Sequence, residues 1–245
     1  MDRMIYVAMS GAKQTLNQQA TVSNNLANAN TTGFRAELAS FRAVPVVGQA
    51  QATRAFVVDS TIGADFTPGS LQPTGRQLDV AVQGSGWMAV QGADGKEAYT
   101  RDGNLQVDKT GALLTRQGFP VLGDSGAITV PVGSEASIAA DGTVSATQAG
   151  TPPTISTVGR IRLVDPKTSN LTRGDDGLFQ TLDGKPVQAD ATVQLAPGNL
   201  EGSNVNMAEQ MVNMITLARQ YDLNTRLITT AGDNEKAASQ ILAMG

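Results

Sequence analysis

Neither cysteine nor histidine occurs anywhere in the 245 residues of this chain. Without thiols there is no disulfide framework, no thiolate nucleophile and no Cys-based metal site. Without imidazole the commonest general base, proton shuttle and transition-metal ligand are missing. Aromatic residues are scarce, with six Phe, three Tyr and one Trp, so a core has to be built from Val, Leu, Ile, Ala and Met. Acidic and basic residues are interspersed and sum to −4, which excludes the concentrated basic stripe of a nucleic-acid binder and a polybasic patch for anionic lipid. No apolar run approaches the roughly 20 residues of a membrane-spanning helix. The opening Met1-Asp2-Arg3, with an apolar stretch to Met9 interrupted at Lys13 and Gln14, is too short and polar for a cleaved secretory signal. The composition therefore predicts no cofactor and no direct membrane insertion. It predicts either a cytoplasmic protein or one exported by a route that reads no cleaved signal.

What is present is a helical period at both ends and a different period between them. Ile5, Met9, Ala12, Leu16, Gln19, Ser23 and Leu26 step by four and three, as do Met207, Met211, Met214, Ala218, Tyr221, Thr225 and Ile228. Such steps place side chains on one stripe that packs against another helix. Val212, Ile215, Leu223 and Leu227 form a second apolar row beside the C-terminal stripe, and a helix apolar on two stripes needs more than one neighbour. One reading closes the stripes into an intramolecular two-helix hairpin; the reading favoured here is assembly between chains, in which a single chain leaves the stripes without partners and its ends fray. The first helix is predicted from about Met4 to about Asn28, unwinding into the Asn-rich run that ends at Phe34-Arg35. The second starts at an Asn206 cap with Glu209 three residues on and reaches about Leu242, interrupted at Gly232 and Asp233.

The spacing predicts residues 1–35 as the N-terminal helix of a helical core domain, 36–75 as an extended connector rich in Pro and Gly, 76–198 as an antiparallel β domain, and 199–245 as the C-terminal helix. Asp-Gly occurs at Asp94, Asp102, Asp141, Asp176 and Asp183, a strong hairpin signal between short strands such as Leu78–Val82, Trp87–Val90 and Leu178–Leu182. The fold class is thus a mainly β central domain with long terminal α-helices packed in a coiled-coil-like helical domain, an α+β architecture.

No catalytic constellation survives scrutiny. Gly123-Asp124-Ser125-Gly126 resembles a protease nucleophile loop, but that serine needs a histidine to take its proton. Gly84-Ser85-Gly86 follows a strand without a following helix to hold a pyrophosphate. Asp175-Asp176-Gly177 lacks the other acidic positions of a calcium loop, and the triplet Arg173-Gly174-Asp175 is short enough to arise by chance. A carboxylate-based hydrolase remains as a competing reading, as does a secreted β-rich binding module dimerised by its helices.

Four motifs in order along the chain carry a resemblance. They are Asn24-Asn25-Leu26-Ala27-Asn28 with Thr32-Gly33-Phe34-Arg35; Leu78 to Gly84 with Gly86; Tyr99 to Asn104 leading to Gly111, Leu113, Gly118 and Leu122-Gly123; and Ser203-Asn204-Val205-Asn206 with Glu209, Met214-Ile215, Arg219, Tyr221 and Asn224. Together they resemble the bacterial flagellar rod and hook proteins over the whole length. The opening twelve residues are most similar to the proximal-rod members, with distal-rod and hook-type members as the nearest alternative. Asp222 and Arg226 stand where Glu and Lys are common, and Gly232 softens the last helix.

The resemblance implies a subunit exported uncleaved by the flagellar type III apparatus and polymerised helically, with other axial proteins, into the rod that crosses the periplasm. Terminal helices of many subunits would then form an inner tube, with the β domain outside it, and the shaft would transmit torque to the hook. The residues expected at the assembly contacts are Ile5, Met9, Ala12, Leu16 and Leu26 on the first helix, followed by Asn24, Asn25, Asn28, Gly33 and Phe34 of its signature. On the second helix they are Met211, Met214, Ile215, Ala218, Tyr221, Leu227 and Ile228. No catalytic, cofactor or metal residue is expected.

Overall fold

The computed structural model describes residues 2–45, 55–148 and 154–243, which divide into two units. The first unit contains α1 (Asp2–Ala27), the strands β1 (Glu37–Pro45) and β2 (Ala55–Ala64), and α2 (Met207–Ala243). Helix α1 ends where Asn28 folds back: its backbone N–H and side-chain amide both donate to the Asn24 carbonyl, at 3.1 and 2.9 Å. Helix α2 starts as expected, with the Glu209 N–H donating to the Asn206 side chain at 3.3 Å. It runs through Gly232 and Asp233 without a break, so the expected interruption is corrected: a single Gly costs only about 1 kcal/mol, which a long helix absorbs.

The 36–75 connector is also corrected. Strands β1 and β2 pair antiparallel from Glu37↔Ala64 to Pro45↔Ala55, with a register shift between Ser40 and Phe41. Phe56-Val57-Val58 and Phe41-Arg42-Ala43-Val44 are pleat-forming sequences whose period is masked by the flanking Pro and Gly. Gly48, in the middle of that stretch, lies outside the described residues.

The second unit comprises residues 30–36 and 65–204. It contains β3 (Leu71–Pro73), β4 (Val80–Val82), β5 (Trp87–Gln91) and β6 (Glu97–Thr100), followed by a succession of two- to seven-residue strands. The largest sheet is antiparallel and five-stranded, running from Leu163–Val164 through β5, β6 and Phe179–Thr181 to Leu171–Arg173. A three-stranded sheet joins Ser134–Ile138, Thr143–Gln148 and Thr154–Arg160. Their common core is aliphatic, with Val80, Met88, Val90, Leu105, Leu113, Val121 and Val144 all inaccessible to solvent. Strand β4 has cover on both faces and so does not alternate: its Ala81 is as buried as its valines.

Three Asp-Gly pairs, at Asp94, Asp141 and Asp176, close hairpins within these sheets. In each the carboxylate accepts the N–H two residues on, from Lys96, Thr143 and Leu178, all at 3.0 Å, and the glycine takes positive φ. Asp183-Gly184 is a turn at the end of a strand. Asp102-Gly103 is no hairpin at all. A Cβ at Gly103 would sit 1.6 Å from the Val80 carbonyl oxygen, so glycine is there to let two backbones touch.

Tyr99 of β6 is buried, its hydroxyl donating to Glu97 Oε1 at 2.9 Å and accepting the Val187 N–H at 2.8 Å. Burial pushes its phenol up from 10.0 to about 12. The unfolded chain releases that proton at 10.0 while the folded one holds it to about 12, so stability is untouched below pH 10 and falls as pH rises beyond it. Urea unfolding followed at alkaline pH is expected to show this fall in the native chain and to show it diminished in Tyr99→Phe.

Candidate functional sites: an exposed helix face and a buried charge node

In the first unit α1 and α2 pack as an antiparallel pair. Their seam is not the predicted one. On α1 it follows Gly11, Gln14, Thr15, Gln18, Val22 and Asn25; on α2 it follows Gln210, Met214, Leu217, Tyr221, Asn224, Ile228 and Ala231. The α2 row keeps the four-three step. The α1 row is largely polar: Thr15 and Gln14 are buried, the Asn224 amide donates to Thr15 Oγ1 at 3.4 Å, and Gly11 leaves room for the Asn224 side chain. The expectation that each helix lacks any partner in a single chain is therefore corrected to a partner on one side only.

The apolar side chains lie elsewhere. On α1 Met9 and Leu16 are 53% and 47% exposed; on α2 Met211, Val212, Ile215, Leu223 and Leu227 are 48–63% exposed. By the helical period Val212, Ile215 and Leu223 sit on the side of α2 turned from α1, with Met211 and Leu227 on its flanks. Of the expected contact residues, Met9, Leu16, Met211, Ile215, Ala218 and Leu227 are exposed, while Ile5, Ala12, Leu26, Met214, Tyr221 and Ile228 are half-buried.

The signature residues behave differently. Asn24 is exposed and holds Asn28 at the helix end. Asn25 is buried, and its side-chain amide acts as a piece of β-strand, accepting the Glu37 N–H at 2.7 Å and donating to the Glu37 carbonyl at 3.0 Å. Gly33, at φ +67°, and buried Phe34 belong to the second unit. Asn25, Asn28, Gly33 and Phe34 thus all make contacts inside the chain.

The second unit holds a node that sequence reasoning missed. Glu201, with 1% of its side chain exposed, accepts Arg35 Nη2 at 2.7 Å and the Gly69 N–H at 2.8 Å on Oε1, and Arg101 Nη1 at 2.9 Å on Oε2. Both guanidiniums are buried as well. Arg101 also donates to the Gly84 carbonyl and lies 5.4 Å from the Trp87 ring centroid. Burial lowers the Arg101 pKa and the Glu201 charge opposes that shift.

The backbone of Glu201 receives the Gly33 N–H at 2.8 Å. Asn204 extends the lacing, accepting the Ala36 N–H at 2.7 Å and donating to the Asp65 and Thr67 carbonyls at 2.9 and 3.0 Å. Thr32 donates to Asp102 Oδ1 at 2.5 Å; burial pushes that carboxyl up, and the Thr32 bond opposes the shift. Arg173 stacks 4.3 Å over the Phe34 ring and donates to the Arg35 carbonyl at 3.2 Å. The Arg-Gly-Asp triplet therefore uses its arginine internally.

The signal for this node was present, since Arg35, Arg101, Asp102 and Asn204 all stand in the motifs. A lone Glu201 before Gly202 gave no period that would pair it with residues over a hundred positions away. Arg35 and Arg101 share the one Glu201 carboxylate, and the buried Arg35 Nε and Nη1 and Arg101 Nε have no hydrogen-bond partner among the described residues. Among the described residues no group of acidic side chains could hold a metal ion.

A β-rich unit built around a buried ion cluster, in one chain with a helix pair that exposes apolar rows, fits a structural subunit. Residues 5–35 match the family model described as flagella basal body rod protein, residues 81–146 the flagellar hook protein FlgE/F/G D1 domain, and residues 196–241 the flagellar basal body rod FlgEFG protein C-terminal. Over the full length of both chains the sequence is 52% identical to the flagellar basal-body rod protein FlgF of Salmonella typhimurium and 51% to that of Escherichia coli. It is 32% identical to the flagellar basal-body rod protein FlgG of Bacillus subtilis, over 95% of this chain and 96% of that one. The chain belongs to the flagellar basal-body rod protein family. It is a structural, FlgF-like rod subunit and not an enzyme.

Proposed function

We propose that this subunit polymerises helically through α1 and α2, together with other axial proteins, into the section of the rod that crosses the periplasm, and so passes torque along the shaft. The observation that carries this reading is the exposed apolar face of the helix pair. Met9 and Leu16 on α1, with Met211, Val212, Ile215, Leu223 and Leu227 on α2, are each about half uncovered in the single chain, whereas the seam between the helices is partly polar. Covering a half-exposed Leu, Ile or Met recovers about 1 kcal/mol, and seven such side chains per subunit outweigh the ordering cost of assembly when several neighbours share them.

A coiled-coil-like seam fits the four-three step of α2. Export through the flagellar type III apparatus accords with the family and with the absence, among the described residues, of any helix long and apolar enough to cross a membrane.

The test is an image of isolated basal bodies at side-chain resolution. It is expected to show Met211, Val212 and Leu223 covered by neighbouring subunits. An image with those side chains facing solvent would reject polymerisation through the helices.

A further inference from the structure

We infer that a groove beside the helix seam receives the outer face of α2 from a second copy of this chain. The groove, about 400 Å³, is lined by Val22 and Asn25 of α1, Leu38 of β1, and Glu209, Asn213 and Leu217 of α2. Buried Leu217 and Leu38, 53% exposed, give it apolar surface among polar side chains such as Gln18 and Thr216. The exposed Glu209 carboxylate contributes to the lining, and among the described residues no Lys or Arg does.

The face that matches it is on the far side of α2. There Leu223 stands between Arg219 and Arg226, all three exposed. Seven residues separate the arginines, two helical turns or roughly 10.5 Å, so one ridge offers an apolar knob flanked by two positive charges. A groove that sets the Glu209 carboxylate beside apolar side chains is its complement in charge and in hydrophobicity.

Groove and ridge occupy different sides of the same helix pair, so a copy cannot fill its own groove. A contact between unlike patches on identical chains is heterologous, and when its rotation does not close it propagates as a helix. A dimer built on one self-complementary patch would stop at two. The inference rests on the polymerising reading above and deepens it by naming which surface meets which.

The absence of cysteine makes the contact directly testable. Leu38→Cys and Leu223→Cys, introduced together into the full chain as a cell's only copy, are expected to give a ladder of dimers and higher multimers when isolated basal bodies are oxidised. Each single variant is expected to remain monomeric. Arg219→Glu with Arg226→Glu should reduce the cross-linked yield of the double-cysteine chain about two- to fivefold, and adding Glu209→Lys to that chain should restore it.

Monomers alone from basal bodies that contain the protein would overturn the groove contact while leaving polymerisation standing. A cross-link to a different polypeptide would overturn the choice of a second copy. Basal bodies that lack the unmodified chain altogether would overturn the reading beneath it.

Discussion

Cells whose only copy of this chain carries Ile215→Asp and Leu223→Asp are expected to build no rod beyond this subunit, although the purified variant keeps its fold. Both side chains are more than half exposed in the single chain, and substitutions at such positions shift folding stability by about 0.5 kcal/mol or less. In an assembled shaft they would be covered, and a carboxylate trapped against apolar neighbours costs several kcal/mol per site. Repeated at every subunit, that cost leaves no stable polymer.

The readouts are circular dichroism and thermal unfolding of the variant, against electron microscopy of basal bodies and swimming in soft agar. Normal rods from this variant would contradict assembly through α2. Met214→Asp and Ile228→Asp are poorer probes, because both residues are half-buried in the seam with α1, so a loss of assembly would be confounded with a loss of fold.

Glu201→Ala is expected to destabilise the β-rich unit by about 3–5 kcal/mol, because it strands the buried guanidiniums of Arg35 and Arg101 without their shared counter-charge. For a unit of this size each kcal/mol lowers the melting temperature by about 2–4 °C, so a fall of roughly 6–20 °C should be visible in a thermal melt of the full chain. Glu201→Gln is expected to recover little, since its amide NH2 faces a guanidinium that has only N–H groups to offer.

Replacing all three charges, Arg35→Met, Arg101→Met and Glu201→Met, should recover much of the loss, because an apolar cluster avoids desolvating three ions. A melt of Glu201→Ala within 1 kcal/mol of the native chain would show that Arg35 and Arg101 find water or other partners instead.

The helices and most hairpins were legible in the sequence because their signals are local. Asn206 with Glu209, and the Asp-Gly pairs at 94, 141 and 176, act within four residues. The three-stranded sheet was harder to see. Ser134–Ile138 and Thr143–Gln148 carry only one large aliphatic side chain each, Ile138 and Val144, so their alternation is faint in the sequence. The ribbon of β1 and β2 was hidden by its Pro and Gly, and Asp102-Gly103 imitated a turn while serving a close backbone approach.

For the helix pair the apolar stripe was read correctly as a row, but not as the row left over. Seam and outer face of α2 lie on opposite sides of the helix, about two residues apart in phase. Only the position of Gly11, Thr15 and Asn224 against one another decides which row faces inward.

Sequence alone determined that the chain has no thiol or imidazole chemistry, that its ends are helical and that its middle is short antiparallel strands, since composition and period act over one or two turns of backbone. Tertiary structure alone decided that Asn25, Gly33 and Phe34 are engaged within the chain, and that Glu201 gathers Arg35 and Arg101. A buried ion network depends on distances between segments separated by 100 and 166 positions, and no local period encodes those.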